Sequence, residues 1–105
     1  MSSREKVYSK KQERLSRYSK ALSHPARIFI LEHIASKKSM CCYSGELAGL
    51  MPIARSTLSQ HLTELKTAGL IHGENDPPFI RYCIDTEAWE EARKMFKTFF
   101  GKKEG

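Results

Sequence analysis

The sequence contains no apolar run that approaches the about 18 residues needed for a membrane-spanning helix. Its first residues, MSSREKVYSKK, also lack the apolar core of a secretory signal peptide. We therefore expect a cytoplasmic protein that has no membrane partner.

Cysteine is scarce and odd in number. The chain has only Cys41, Cys42 and Cys83, and two adjacent cysteines cannot bridge each other without strain. A disulfide framework is therefore not expected, and we predict reduced thiols.

Acidic side chains are in deficit. The chain has 12 Asp and Glu against 18 Lys and Arg, which gives a net charge of +6. This excess makes polyanions, either nucleic acid or an anionic surface, the leading class of partner. Residues 1–20 hold seven basic and two acidic side chains, a pattern that suits phosphate contact and a solvated helix face equally well.

The length of 105 residues fits one compact domain, which we predict over residues 1–105 with flexible ends at 1–10 and 101–105. A domain of this size buries a small core, so a second copy of the chain is a natural source of additional burial. We therefore expect a homodimer.

Apolar residues recur at helical spacing in the first third of the chain. One helix is predicted over residues 5–22, with Leu15, Tyr18 and Leu22 on one face. Ser23 is the expected N-cap of a second helix that starts near Pro25. Its inward side chains are predicted to be Ile28, Leu31, Ile34 and Ala35.

Two short helices are predicted next. The first begins at Ser44, whose hydroxyl is the expected cap, and Pro52 ends it. The second has Leu58, Leu62 and Leu65 on one side, and Gly69 closes it.

The last third of the chain predicts a hairpin and a final helix. Strands over residues 70–74 and 79–84 flank the turn Asn75-Asp76-Pro77-Pro78. Asp85 is the expected cap of the helix, whose apolar stripe comprises Trp89, Ala92, Phe96, Phe99 and Phe100. Two helices around a tight turn, followed by a hairpin, predict a winged helix-turn-helix, an α+β but mostly α fold with about five helices and a two-stranded wing.

The second helix of the helix-turn-helix has the side chains that a recognition helix needs. The Gln60 amide can donate one hydrogen bond to adenine and accept another from it in the major groove. The alternative is that Gln60 is a solvated surface residue with no base contact. Small polar side chains near its start allow a close approach to the bases: Ser56, Thr57 and Ser59. Ser56 also suits the N-cap. Phosphate contacts are predicted for Arg55, Thr57, Lys66 and Arg81.

Two segments together resemble one known family. ALSHPARIFILEHI, residues 21–34, and ARSTLSQHLTELKTAGLI, residues 54–71, are similar to the ArsR-type (ArsR/SmtB) family of bacterial repressors, many of which sense metals. The resemblance spans roughly residues 12–96. It implies a homodimeric repressor that binds double-stranded operator DNA and is released by an inducer.

The resemblance also implies roles for particular residues. The DNA-facing set of the family corresponds here to Ser56, Thr57, Ser59, Gln60 and His61, with Arg81 on the wing. His61 can instead pack against the scaffold. The dimer is implied to form through the first and last helices: Leu15, Tyr18, Leu22, Trp89, Phe96 and Phe99.

The sensing chemistry stays open at this point. Many relatives have two cysteines one residue apart, whereas this chain reads Cys42-Tyr43-Ser44. Cys41, Cys42 and Cys83 are the candidate ligands for a soft metal or metalloid ion acting as inducer. A redox or electrophile sensor is the alternative for Cys41 and Cys42, and a buried small hydrophobe is the alternative for Cys83. The last helix has no histidine, so the carboxylate and histidine site of some relatives is not expected.

The sequence also bears on three other functions. The polar face of the fourth helix could bind a partner protein, as in a winged-helix protein-interaction module. A repressor of the same family that senses no metal is equally compatible with the sequence. An enzyme is not expected, because Cys41 and His61 lack a third orienting group and the chain lacks a glycine-rich phosphate loop.

Overall fold

The computed structural model describes residues 7–101, which form five helices and three strands. The helices are α1 (Lys10–Ala21), α2 (Pro25–Ser36), α3 (Ser44–Leu50), α4 (Arg55–Thr67) and α5 (Thr86–Gly101). The strands are β1 (Cys41–Tyr43), β2 (Ile71–Asp76) and β3 (Phe79–Ile84). Of the predicted flexible ends, residues 1–6 and 102–105 lie outside the described residues. Lys10 and Gly101, which the prediction also included, are instead the first residue of α1 and the last residue of α5. The predicted winged helix-turn-helix is confirmed.

The sheet has one more strand than predicted. Its order is β1-β3-β2 and both pairings are antiparallel, so β3 is the central strand. Strand β1 was missed because three residues are too few to show an alternation of apolar and polar side chains. Its position matters for the site, because β1 runs directly into α3.

Several helix ends follow from local chemistry. Asp85 Oδ1 accepts a hydrogen bond from the Ala88 amide at 3.0 Å, as expected for the cap of α5. Gly69 has a φ of +84°, a left-handed conformation that favours glycine, and it ends α4 as predicted. Helix α1 begins later than predicted, because Ser9 and Gln12 form a reciprocal capping box.

The predicted serine caps of three helices are wrong. His24 caps α2, because its Nδ1 accepts from the Ala26 amide at 3.0 Å while the Ser23 hydroxyl donates to the Lys20 carbonyl. The caps of α3 and α4 are Tyr43 and Ala54, and neither makes a side-chain cap hydrogen bond. Ser44 and Ser56 therefore lie inside the first turns of their helices.

The core joins the helix-turn-helix to α2. Its largest fully buried side chains are Ile30, Ile34, Leu47 and Leu65, from α2, α3 and α4. The prediction that Ile28 points inward is wrong, since Ile28 is 43% exposed and Ile30 is buried in its place. Helix α5 has no buried residue and rests on the core through half-buried side chains that include Trp89 and Phe96. Among residues 7–101, no helix is long and apolar enough to cross a membrane.

Candidate nucleic-acid interface

Helix α4 separates its apolar and polar side chains into two faces. Leu58, Leu62 and Leu65 are buried and seat the helix on the core. The opposite face is exposed along its length, and it comprises Arg55, Ser56, Ser59, Gln60, Thr63 and Lys66. Thr57 is half-buried. The structure thus brings five of the predicted DNA-facing side chains onto one exposed surface of α4.

His61 does not share this surface. It is only 8% exposed, and its ring lies 4.5 Å from the ring of His24 between centroids. Arg27 Nη1 is 3.0 Å from His61 Nδ1, and because arginine can only donate, Nδ1 is the acceptor of a neutral imidazole. His61 therefore packs on the scaffold, the alternative that the sequence left open.

Arg27 holds three helices together and was missed at the sequence level. Its Nε donates to the Ala21 carbonyl at 2.9 Å and its Nη2 to the Lys20 carbonyl at 3.2 Å, which satisfies the C-terminal carbonyls of α1. The same guanidinium reaches His61 on α4. An arginine between Ala26 and Ile28, in the mostly apolar first half of α2, was the signal that could have identified it.

The contact between Arg27 and His61 predicts a pH dependence of stability. Desolvation, the His24 ring and the Arg27 charge all lower the pKa of His61 from its usual 6.5. The unfolded chain therefore binds a proton more readily than the folded one, and the free energy of unfolding falls as the pH drops through 6.5.

Replacement His61→Asn is expected to flatten this dependence, measured by urea unfolding at a series of pH values. The matched control is His72→Asn, which changes an exposed histidine on β2. An unchanged profile in His61→Asn would contradict the prediction.

The wing does not present Arg81 as a free cation. Arg81 Nη2 lies 2.6 Å from Glu74 Oε1 across β2 and β3, and this hydrogen bond lowers the pKa of Glu74 and raises that of Arg81. His72 Nε2 is also 3.2 Å from Glu74. At the wing tip, the Tyr43 hydroxyl donates to Asp76 at 2.5 Å, and Phe79 is 60% exposed. The charge of Arg81 is thus largely compensated within the wing.

The cysteine predictions need two corrections. Cys41 and Cys83 form a disulfide, so the expectation of three reduced thiols is wrong. The two residues are direct cross-strand partners in β1 and β3, a juxtaposition that their separation of 42 residues concealed.

The three cysteines are also not gathered into one site. Because successive side chains of a strand point to opposite faces, Cys42 faces the core, away from the disulfide. Burial, followed by the charge of Glu46, raises the pKa of the Cys42 thiol to about 11. A trigonal metal site of Cys41, Cys42 and Cys83 does not fit this arrangement.

Comparison with known proteins identifies the family. Residues 22–74 match the family model of a helix-turn-helix domain. The transcriptional regulator YgaV of Escherichia coli is 36% identical over 69 residues, 66% of this chain and 68% of YgaV. The chain belongs to the ArsR-type family of helix-turn-helix transcriptional regulators.

Further relatives agree with this assignment. The regulator CmtR of Mycobacterium tuberculosis is 31% identical over 74 residues, 70% of this chain and 60% of CmtR. An ArsR-like transcriptional regulator from Rhodococcus shares the fold with a TM-score of 0.71 at 21% identity, over 85% of this chain and 81% of that one. The ArsR-type chain is therefore a DNA-binding transcriptional regulator, and its fold and family are not those of enzymes.

The regulator has a second surface, between α1 and α5, that we call the α1–α5 face. Its apolar side chains include Leu15, Leu22, Trp89, Phe96 and Phe99. They line two neighbouring grooves of about 440 and 370 Å³. Phe99 and Phe100, which are 52% and 75% exposed and whose ring centroids lie 5.1 Å apart, form a contiguous apolar patch beside these grooves.

Polar contacts also join α1 to α5. The Tyr18 hydroxyl donates to Glu91 Oε1 at 2.6 Å, and Arg14 Nη1 lies 2.5 Å from Glu91 Oε2. Desolvation and the bond to Glu91 raise the pKa of Tyr18 to about 12. Tyr18, predicted to belong to the dimer face, is 4% exposed and serves the packing of the two helices within one chain.

Proposed function

We propose that this ArsR-type regulator is a homodimeric repressor that binds operator DNA in the cytoplasm, with α4 in the major groove. The observation that carries the proposal is the division of α4 into a face seated by three leucines and an exposed polar face. A recognition helix needs both, because the scaffold must fix its angle while its side chains reach base edges.

The side chains of α4 are assigned distinct roles. Gln60 reads a base, and Ser56 and Ser59 approach the groove beside it. Arg55, Thr57 and Lys66 contact phosphates and fix the register. Arg27 and His61 are positioning residues, because their contact holds α4 against α2. A groove of about 440 Å³ lined by Arg27, Ser59, Gln60 and Thr63 gives room along the exposed side of the helix.

The dimer is proposed to form through the α1–α5 face. Two copies related by a two-fold axis bury the same apolar side chains against each other, which offsets the small core of one chain. Such a dimer presents two α4 helices to successive major grooves, about 34 Å apart along the DNA.

A titration of the protein against duplex DNA at several salt concentrations tests this function. We expect the affinity to fall steeply as salt rises, because phosphate contacts release counterions. A protein-interaction module would instead bind no duplex at any salt concentration, and that result would overturn the proposal.

Removal of the partner of Arg81 is expected to strengthen DNA binding. In Glu74→Gln the wing loses the carboxylate that neutralises Arg81, so the affinity for every duplex should rise a few fold. The plot of log affinity against log salt should steepen by about one unit. The matched control is Glu90→Gln on α5, which changes the same charge far from the wing. An equal rise in both variants would remove Arg81 from the interface.

The Cys41–Cys83 pair is proposed as the element that responds to a signal. It joins β3, the central strand of the sheet, to β1, and β1 leads directly into α3 of the helix-turn-helix. A dithiol reductant supplies two electrons and two protons, which convert the disulfide into two thiols. The covalent link between the wing and β1 is then lost. Cys42 is unsuited to this role because its thiol is buried and protonated.

We expect the oxidised and reduced proteins to differ in operator affinity by about fivefold or more, as for other coupled sites. The measurement is anisotropy with and without dithiothreitol. The Cys41→Ser/Cys83→Ser variant should not respond to the reductant. Equal affinities of the two wild-type forms would exclude the pair as a sensor.

A further inference from the structure

A second cluster of ligand-type side chains lies on the core side of β1. His33 of α2, Cys42 of β1 and Glu46 of α3 each offer one ligand atom, and these atoms lie within 4.8 Å of one another. His33 Nε2 is 2.7 Å from Glu46 Oε2. Three separate elements thus direct a nitrogen, a sulfur and an oxygen donor to one point.

We propose that His33, Cys42 and Glu46 form a binding site for a divalent transition metal of the zinc class. Zinc takes this mixture of donors, with bonds of about 2.0–2.3 Å. Tetrahedral ligands at these bond lengths lie about 3.4 Å apart, so only small side-chain movements are needed. This site is distinct from the cross-strand disulfide, which lies on the other face of β1.

The surroundings of the cluster suit an open, three-ligand site. The His33 side chain is 24% exposed, which provides an entry path and room for a water molecule as the fourth ligand. The Phe29 ring lies parallel to the imidazole, with ring planes 1° apart and centroids 6.2 Å apart, and shields one side of the His33 side chain. Cys42 is 2% exposed and supplies the buried end of the site.

Lys37 is the group that a metal must displace. Its Nζ lies 2.6 Å from Glu46 Oε2, so without metal the ammonium ion and His33 share the carboxylate. The Lys37 side chain is 35% exposed and can turn into solvent when an ion takes its place. On binding, the Cys42 S–H bond breaks, its proton passes to water and a sulfur–metal bond forms.

Binding at this site would tie α2 to the first turn of α3. Both helices belong to the scaffold that carries α4, so the ion would stiffen the helix-turn-helix without touching DNA. Metal binding at this site does not depend on DNA binding, so it can be measured in the absence of DNA.

Cobalt(II) titration of the oxidised protein tests the site, because the disulfide leaves Cys42 as the only thiol. We expect one equivalent to bind with a thiolate-to-cobalt charge-transfer band and tetrahedral d–d bands, and zinc to bleach both. His33→Gln and Glu46→Gln should weaken cobalt binding by at least about 10-fold. Cys42→Ala should abolish the charge-transfer band.

The matched control is His72→Gln, an exposed histidine on β2 that should leave the titration unchanged. Circular dichroism of each variant establishes that the fold is retained. A Cys41→Ser/Cys83→Ser protein, which also has Cys42 as its only thiol, should repeat the wild-type result. Absence of the charge-transfer band in both proteins, or its persistence at full affinity in His33→Gln and Glu46→Gln, would overturn the proposal.

Discussion

Phe99→Lys is expected to convert the regulator into a monomer that binds its operator about 100-fold more weakly, because the linkage between two recognition helices is lost. Phe99 lies at the exposed end of the α1–α5 face, where Lys11 and Lys94 already line the groove. An added ammonium ion there has no acidic partner among the groove residues, and a two-fold axis would bring it near its own copy. Sedimentation velocity and anisotropy measure the two effects.

The control for this variant is Phe79→Lys, which places the same charge on the wing at a side chain of similar exposure. It should remain a dimer and lose no DNA affinity. Since both variants gain a positive charge, a loss of binding in Phe99→Lys alone cannot come from electrostatics with DNA. A Phe99→Lys protein that stays dimeric would contradict the proposed dimer face.

Gln60→Ala is expected to weaken operator binding by about 1–3 kcal/mol and to relax discrimination at one base pair. The side chain is exposed on α4 and makes no contact that supports the core, so the stability of the fold should not change. The measurement is anisotropy with a set of duplexes in which each operator base pair is exchanged in turn.

Thr67→Ala is the matched control, because Thr67 is an exposed polar residue at the opposite end of the same helix. It should leave the pattern of base-pair preferences intact. If Gln60→Ala weakens binding to all duplexes by the same factor, Gln60 contacts the backbone and not a base.

Much of the fold followed from local signals in the sequence. The leucine spacing of α4, glycine at its end and aspartate before α5 each reflect chemistry within one or two turns, and all three were predicted correctly. The exposed face of α4 followed from the same spacing, because the side opposite Leu58, Leu62 and Leu65 must face solvent.

The errors concern contacts between residues distant in the sequence. Cys41 meets Cys83 only because β1 pairs with β3 in one register, and Glu74 meets Arg81 through the register of the hairpin. His24, and not Ser23, caps α2, because the Ser23 hydroxyl donates to a carbonyl at the end of α1. Arg27 and His61 likewise gained their roles from the packing of α2 on α4, which no single segment reveals.

The proposed repressor function depends on α4 reading a specific DNA sequence. The most direct test is the affinity of the wild-type protein for the DNA upstream of its own gene, compared by fluorescence anisotropy with a scrambled duplex of equal length and composition. We expect the upstream duplex to bind at least about 1,000-fold more tightly at physiological salt. Equal affinities for the two duplexes would contradict sequence-specific recognition by α4.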